Sequence, residues 1–175
     1  MAANLGELID QARRVRPGKV AVITNGTLLG DKRVQQELKS VDLILVKLEV
    51  ADEPSLQALN HPSAGISFTS LLSGIKAFRA QFTGRFALQI MFVGRNKAQA
   101  EGIARLAREI APDEVQLNTP LRPSPEKPLT PQEMAQIKTY FAGLNVRSVY
   151  EEEKKAYQPL DEQATARRHG EAKRQ

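Results

Sequence analysis

The chain has no cysteine and no tryptophan, only two histidines, and 5% aromatic residues. Without cysteine it cannot form an intrachain disulfide, a thiolate zinc site or a cysteine-ligated iron–sulfur cluster on its own. His61 and His169 are too few for a histidine-rich metal centre. No apolar run approaches the ~20 residues of a membrane-spanning helix. The opening "MAANLGELIDQARR" carries acids and lacks the apolar stretch of a signal peptide. These absences predict a cytoplasmic protein without membrane contact. A dinucleotide-binding glycine pattern, a P-loop, a HExxH helix and a Ser-His-Asp set are also missing.

With 41% hydrophobic residues among 175, the chain is long enough for one core, built mostly of Leu, Ile, Val and Ala. Net charge is +5. Acids and bases balance from Glu151 onward, so the excess sits in residues 1–150. Modest basicity suits an anionic partner such as a phosphate or a nucleic acid, or simply a soluble surface. There is no aromatic-plus-basic cluster of the kind that stacks bases.

Periodicity alternates along the chain. Residues 4–16 put Leu5, Leu8, Ile9 and Ala12 on one helical face, with Asn4 as the predicted N-cap. "KVAVITN" (19–25) reads as a parallel strand covered on both faces. A short helix capped by Asp31 precedes a second buried strand, "DLILVKLEV" (42–50), and residues 51–60 read as a short helix or turn. Helix 67–81 turns Phe68, Leu71, Leu72, Ile75 and Phe78 inward, and strand "FALQIMFV" (86–93) follows. Helix 96–110, with Ile103, Leu106 and Ile110 as its stripe, leads to strand "EVQLN" (114–118). "TPQE" has the spacing of a capping box, with Thr130 at N-cap, Pro131 at N1 and Glu133 at N3. That helix runs to about Ala142, Gly143 ends it, and 145–150 reads as a final strand. Residues 151–175 are poor in hydrophobes and read as a charged tail, helical or disordered. Strands alternating with helices predict an α/β fold of parallel βα units, whose functional groups sit at the C-terminal ends of the strands.

Those ends are polar. The first strand ends Thr24-Asn25-Gly26, a turn signal before it is a site signal. Lys47 and Glu49 alternate with Val46, Leu48 and Val50, so both charges point to one face. Buried charges need partners, so this pair either lines a solvated cavity or belongs to a structural ion pair. Gln89 shares a face with Met91 and reads equally as a structural or a site amide. The fourth strand ends Gln116, Asn118 and Thr119, followed by Pro120 and Arg122. His61, before Pro62, reads as an exposed loop residue without a role. Gly94-Arg95 follows a strand and could seat a phosphate.

The blocks "VITNGTLLGDKRVQQEL", "DLILVKLEVADEPSLQALNHPSAGISFTSLLSGIKAFRAQFTG" and "FALQIMFV…DEVQLNTPLRP" resemble consecutive blocks of radical S-adenosylmethionine (radical SAM) proteins. The branch resembled is the Fe–S oxidoreductase group related to wyosine-forming tRNA-modifying enzymes. "TNGTLL", "ADE…LN-P" and "VQLNTPLRP" carry the likeness most specifically, over about Leu5 to Tyr150. The resemblance implies a partial (β/α) barrel over residues 1–150, corresponding to strands three to six of the family barrel plus one further βα element. It also implies two cofactors, S-adenosylmethionine and a 4Fe-4S cluster whose unique iron chelates it. By position on that barrel, Asn25, Lys47, Glu49 and Gln89 would approach the ribose and methionine portions of S-adenosylmethionine. Gln116, Asn118 and Arg122 would lie near adenine or substrate, with Thr119 beside Arg122 on the substrate side.

The sequence departs from the family at its front. The blocks begin in what resembles the helix after the second strand, and the cysteine triplet and Gly-Glu-Pro segment are absent. Lys47 and Glu49 stand where the family more often shows Ser and Asp, and His61 where Arg is common. Three functions remain open. One is the C-terminal part of a radical SAM enzyme, active when a cysteine-bearing N-terminal half is supplied. The second is a cluster-free remnant that binds a ligand or partner. The third is an unrelated open βα enzyme whose anionic substrate meets Lys47 and Arg122. The first strand would be left with an unpaired edge, so the missing half or a second copy is the expected partner, with tRNA a further one.

Overall fold

The apolar runs and helical stripes resolve into five parallel strands with a helical connection between each consecutive pair. The computed structural model describes residues 4–121 and 124–151. The strands are β1 (Ala21–Thr24), β2 (Leu43–Lys47), β3 (Arg85–Met91), β4 (Glu114–Asn118) and β5 (Val146–Ser148). They form one open sheet in the order β1-β2-β3-β4-β5. The helices are α1 (Leu5–Val15), α2 (Lys32–Glu37), α3 (Glu53–Ser55), α4 (Phe68–Gln81), α5 (Ala100–Ile110) and α6 (Pro131–Tyr140). This is the α/β architecture of a partial (β/α) barrel. Residues 152–175, read from sequence as a tail, lie outside the described residues, and so does Arg122.

Alternation divides each strand between two environments. Ile44 and Val46 of β2 and Leu48 just after it, Phe86, Leu88 and Ile90 of β3, and Val115 and Leu117 of β4 join one buried cluster with Ile75, Phe78, Ile103 and Ile137 of the helices and Phe141 at the end of α6. Each such side chain contributes roughly 1.5–3 kcal/mol by leaving water. Phe78, on α4, stacks on Phe82 with ring centroids 5.0 Å apart and lies 6.4 Å from Phe86. The intervening residues form the opposite, open face. Register places them in rows across the sheet: Ile23, Leu45, Ala87 and Glu114, then Lys47, Gln89, Gln116 and Arg147.

Helix starts follow local chemistry. Asp31 accepts a hydrogen bond from the Arg33 amide at the head of α2. Thr130 and Glu133 form the reciprocal capping box of α6, the Glu133 amide donating to Thr130 Oγ1 at 3.2 Å and the Thr130 amide to Glu133 Oε2 at 2.8 Å. Lys97, 2.7 Å from Glu133, and these Thr130 bonds hold the Glu133 carboxyl down to about 2.

Several expectations are corrected. Asn4 makes no side-chain cap on α1. The strand expected to be covered on both faces is the sheet edge, and Ile23 is 61% exposed because none of the described residues covers its open side. The helix expected from residue 96 starts as a 3-10 turn, Lys97–Gln99, before α5. Residues 51–60, expected as a short helix or turn, do hold one: α3 continued by a π-turn, Leu56–Asn60, after which His61 takes a left-handed conformation with φ 45°. β5 is only three residues long. Among the described residues no helix is long and apolar enough to cross a membrane.

Candidate functional site

At the end of β1 the chain turns under side-chain control. Thr24 Oγ1 accepts from the Gly26 amide at 3.1 Å, and Asn25 Oδ1 accepts from the amide and hydroxyl of Thr27 at 3.2 and 2.9 Å. Gly26 sits at φ +79°, with the site of a Cβ 3.0 Å from Val46 Cγ1, so left-handed backbone and close packing both call for glycine. Asn25 therefore builds the turn, and it also faces a cavity.

That cavity, of 270 Å³, is lined by Asn25, Thr27, Lys47, Glu49, Asn60 and His61 together with apolar side chains such as Leu48 and Val50 after β2 and Leu71 of α4. Lys47 is exposed. Neither Lys47 nor Glu49 belongs to an ion pair among the described residues. Glu49 Oε2 instead accepts from Asn60 Nδ2 at 3.2 Å. Of the two sequence readings of this pair, the geometry is that of residues lining a solvated cavity.

A second cavity, of 660 Å³, opens at the ends of β3 and β4, lined by Glu49, Leu59, Met91, Val93, Asn118, Thr119, Pro120, Leu121 and Val149. Glu49 borders both. Lys47 and Gln89 are register partners, as are Gln89 and Gln116, and Met91 and Asn118. Lys47, Gln89 and Gln116 thus form one row across the open face, with Asn118 further along the same face of β4 and Glu49 bordering both cavities; Gln89 and Gln116 line neither cavity. Gln89 Nε2 lies 3.5 Å from Gln116 Oε1, and Gln116 Nε2 donates to Glu114 Oε1 at 2.8 Å.

At the start of β4, on the same face, the Glu114 side chain is 6% exposed and receives Arg85 at 2.5 Å and Arg147 at 3.2 Å. A carboxylate so enclosed is tolerated because both oxygens are engaged. Sequence reading missed this group. A charged residue at the alternate positions of Gln116 and Asn118 was the available signal, but its partners lie on β3 and β5, 29 and 33 residues away in sequence.

Thr119, which the resemblance implied on the substrate side, borders the second cavity. Its side chain is buried, and its hydroxyl donates to Phe92 O at 2.9 Å and accepts from the Leu129 amide at 2.8 Å. It ties the end of β3 to the approach of α6. Arg95, expected to seat a phosphate, donates to Ala58 O at 2.6 Å. His61, set aside from sequence, stands on the first cavity's rim. Asn60 and the buried Asn96 were not singled out from sequence, since asparagine in "LNHP" and "GRN" reads first as a turn residue.

The mouth offers amides, one ammonium and one carboxylate, a set suited to the hydroxyls, ring nitrogens and amino-acid groups of a polar small molecule. It does not suit a metal. No group of three metal-ligating side chains occurs among the described residues, and the sequence has no cysteine.

No family model matches the chain. It is 39% identical over 126 residues to a UPF0026 protein of Synechocystis sp., covering 71% of this chain and 48% of that protein. It is 30% identical over 129 residues to a UPF0026 protein of Methanocaldococcus jannaschii, covering 72% and 40%. The chain spans about half the length of the curated relatives it matches. In structure it is similar to a domain of pyruvate-formate lyase-activating enzyme from Bacteroides vulgatus, with TM-score 0.62 and 18% identity over 82% of this chain and 90% of that one. It is also similar to a radical SAM methyltransferase from Sphaerobacter thermophilus, with TM-score 0.58 and 19% identity over 78% of this chain and 40% of the other. At these identities the likeness is one of fold: a partial (β/α) barrel of the kind found in radical SAM enzymes.

Proposed function

We propose that the open face of this sheet is the C-terminal wall of a radical SAM-type barrel, contacting S-adenosylmethionine and a substrate. The observation that carries this is that Asn25, Lys47, Glu49 and Asn118 line two cavities, both bordered by Glu49, at the C-terminal ends of neighbouring parallel strands, where such folds place their sites, with Gln89 and Gln116 in the row of Lys47 on the same face. Asn25, Lys47, Glu49, Asn60 and Gln89 would meet the ribose and amino-acid portions of the nucleoside. Gln116 and Asn118 would lie toward the base or the substrate. By the resemblance Arg122, outside the described residues, would lie toward the substrate.

The 4Fe-4S cluster does not fit this chain. With no cysteine present, its ligands must come from a cysteine-bearing segment outside these 175 residues, and no step through the cluster is assigned to the residues here. The exposed β1 edge is the surface on which the strands of such a segment would pair. The quoted sequence blocks support the branch related to wyosine-forming enzymes, and with it a tRNA substrate. Co-expression with a cysteine-bearing N-terminal half, anaerobic cluster reconstitution and assay for 5′-deoxyadenosine test the reading. Product is expected, and its absence with the cluster verified counts against it.

The missing cysteines favour a second reading, a cluster-free module that binds a nucleoside or partner. Titration of the isolated chain with S-adenosylmethionine addresses it. Without iron chelation, binding on the order of millimolar is expected, and micromolar affinity would support the module instead.

A further inference from the structure

The β2–β3 ladder ends at Lys47 and Gln89, and the last backbone bond between the two strands is Leu48 N to Gln89 O at 3.2 Å. Beyond it the backbones part, and the gap is filled by one side chain. Asn96 is 2% exposed. Its Nδ2 donates to Glu49 O and to Met91 O, both at 2.9 Å, and its Oδ1 accepts from the Val93 amide at 2.8 Å. The amide replaces a peptide unit and holds the two strand tips at a set separation. Its neighbours grip the same segment further along. Gln99 accepts from the Ala51 amide at 3.3 Å and donates to Ser55 Oγ, and Arg95 holds Ala58 O.

The gripped segment, residues 49–60, ends in the π-turn and the left-handed His61. Such backbone persists where its surroundings over-determine it. It carries Glu49 and Asn60, which bond to each other on the cavity wall. We propose that Asn96 is the positioning residue of this wall: through Glu49 O and Met91 O it sets where the β2 exit, and so Glu49 and Asn60, stand in the mouth. Asparagine is required by its donors. Aspartate keeps the size but turns a carboxylate toward two carbonyls, and alanine leaves three buried backbone groups without partners.

The functional half of this inference rests on the nucleoside-binding reading, and the test separates the two. Amide hydrogen exchange is compared in wild type, Asn96→Ala, Asn96→Asp and Phe78→Leu, the last a buried change in the aromatic cluster at the opposite end of β3. Both Asn96 variants are expected to lose about tenfold or more protection at Ala51 and Val93 while β1 and β5 keep theirs. Phe78→Leu, if it lowers protection, lowers it throughout. S-adenosylmethionine is then titrated by chemical-shift changes at Asn25 and Asn60. The Asn96 variants are expected to weaken binding about tenfold, and Phe78→Leu to leave it within about twofold.

Uniform loss of protection in Asn96→Ala, or wild-type protection in Asn96→Asp, overturns the positioning role. Where the wild type binds, so does binding in the Asn96 variants no weaker than in Phe78→Leu. A wild type unmoved by S-adenosylmethionine, together with local opening in the Asn96 variants, removes the nucleoside reading and leaves the positioning role standing.

Discussion

On its helix-covered side β3 presents Phe86, Leu88 and Ile90, all fully buried; on the other side the same seven residues present Arg85, Ala87, Gln89 and Met91. β4 divides likewise into Val115 and Leu117 against Glu114, Gln116 and Asn118. One face is built to exclude water under helices. The other links Gln89, Gln116, Glu114, Arg85 and Arg147 to one another and leaves Lys47 exposed. The division is that of a sheet packed by helices on one face only, and it leaves the other face available for a ligand.

The largest expected effect lies on the covered face. Phe86→Ala should cost about 3–5 kcal/mol in urea denaturation, and a wild-type midpoint would break the contrast between faces. Glu114→Gln, on the open face, removes the carboxylate shared by Arg85 and Arg147 and should cost about 1–3 kcal/mol. A loss as large as that of Phe86→Ala would make the open face structural.

At the seam between β3 exit and α6, Glu133 sharpens the comparison through pH. Its carboxyl is held to about 2 against an ordinary 4.5, so its stabilising contribution is complete above about pH 4.5 and disappears as pH falls toward about 2. Thermal melts of Glu133→Gln should lack that part of the acid slope. Ile23→Lys on the exposed edge should suppress self-association in sedimentation with little change in melting. Least for stability, Lys47→Ser should stay within about 0.5 kcal/mol of wild type yet remove chemical-shift changes caused by S-adenosylmethionine at Asn25.

Alternation made the face of Lys47, Glu49, Gln89, Gln116 and Asn118 readable, because side-chain direction in a strand has period two. The Thr130–Glu133 box was equally plain, since both partners lie within one turn. The covering of β1 was misjudged because a run of Val and Ile does not say whether a neighbour exists. Thr119 and Asn96 escaped for a related reason. Their bonds go to Phe92, Leu129, Glu49 and Met91, and a hydroxyl or amide in a turn gives no local sign of whether it points toward a ligand or into the backbone around it.

Taken alone, the sequence determined the succession of parallel βα units, the side of each strand on which polar groups stand, and the absence of any cysteine ligand for iron. Only the tertiary structure decided the register that lines up Lys47, Gln89 and Gln116, the enclosure of Glu114 by two arginines, and the bridge made by Asn96. The first set follows from periodicity and composition, which are local properties of the chain. The second depends on pairings between residues tens of positions apart, and those exist only once the strands lie side by side.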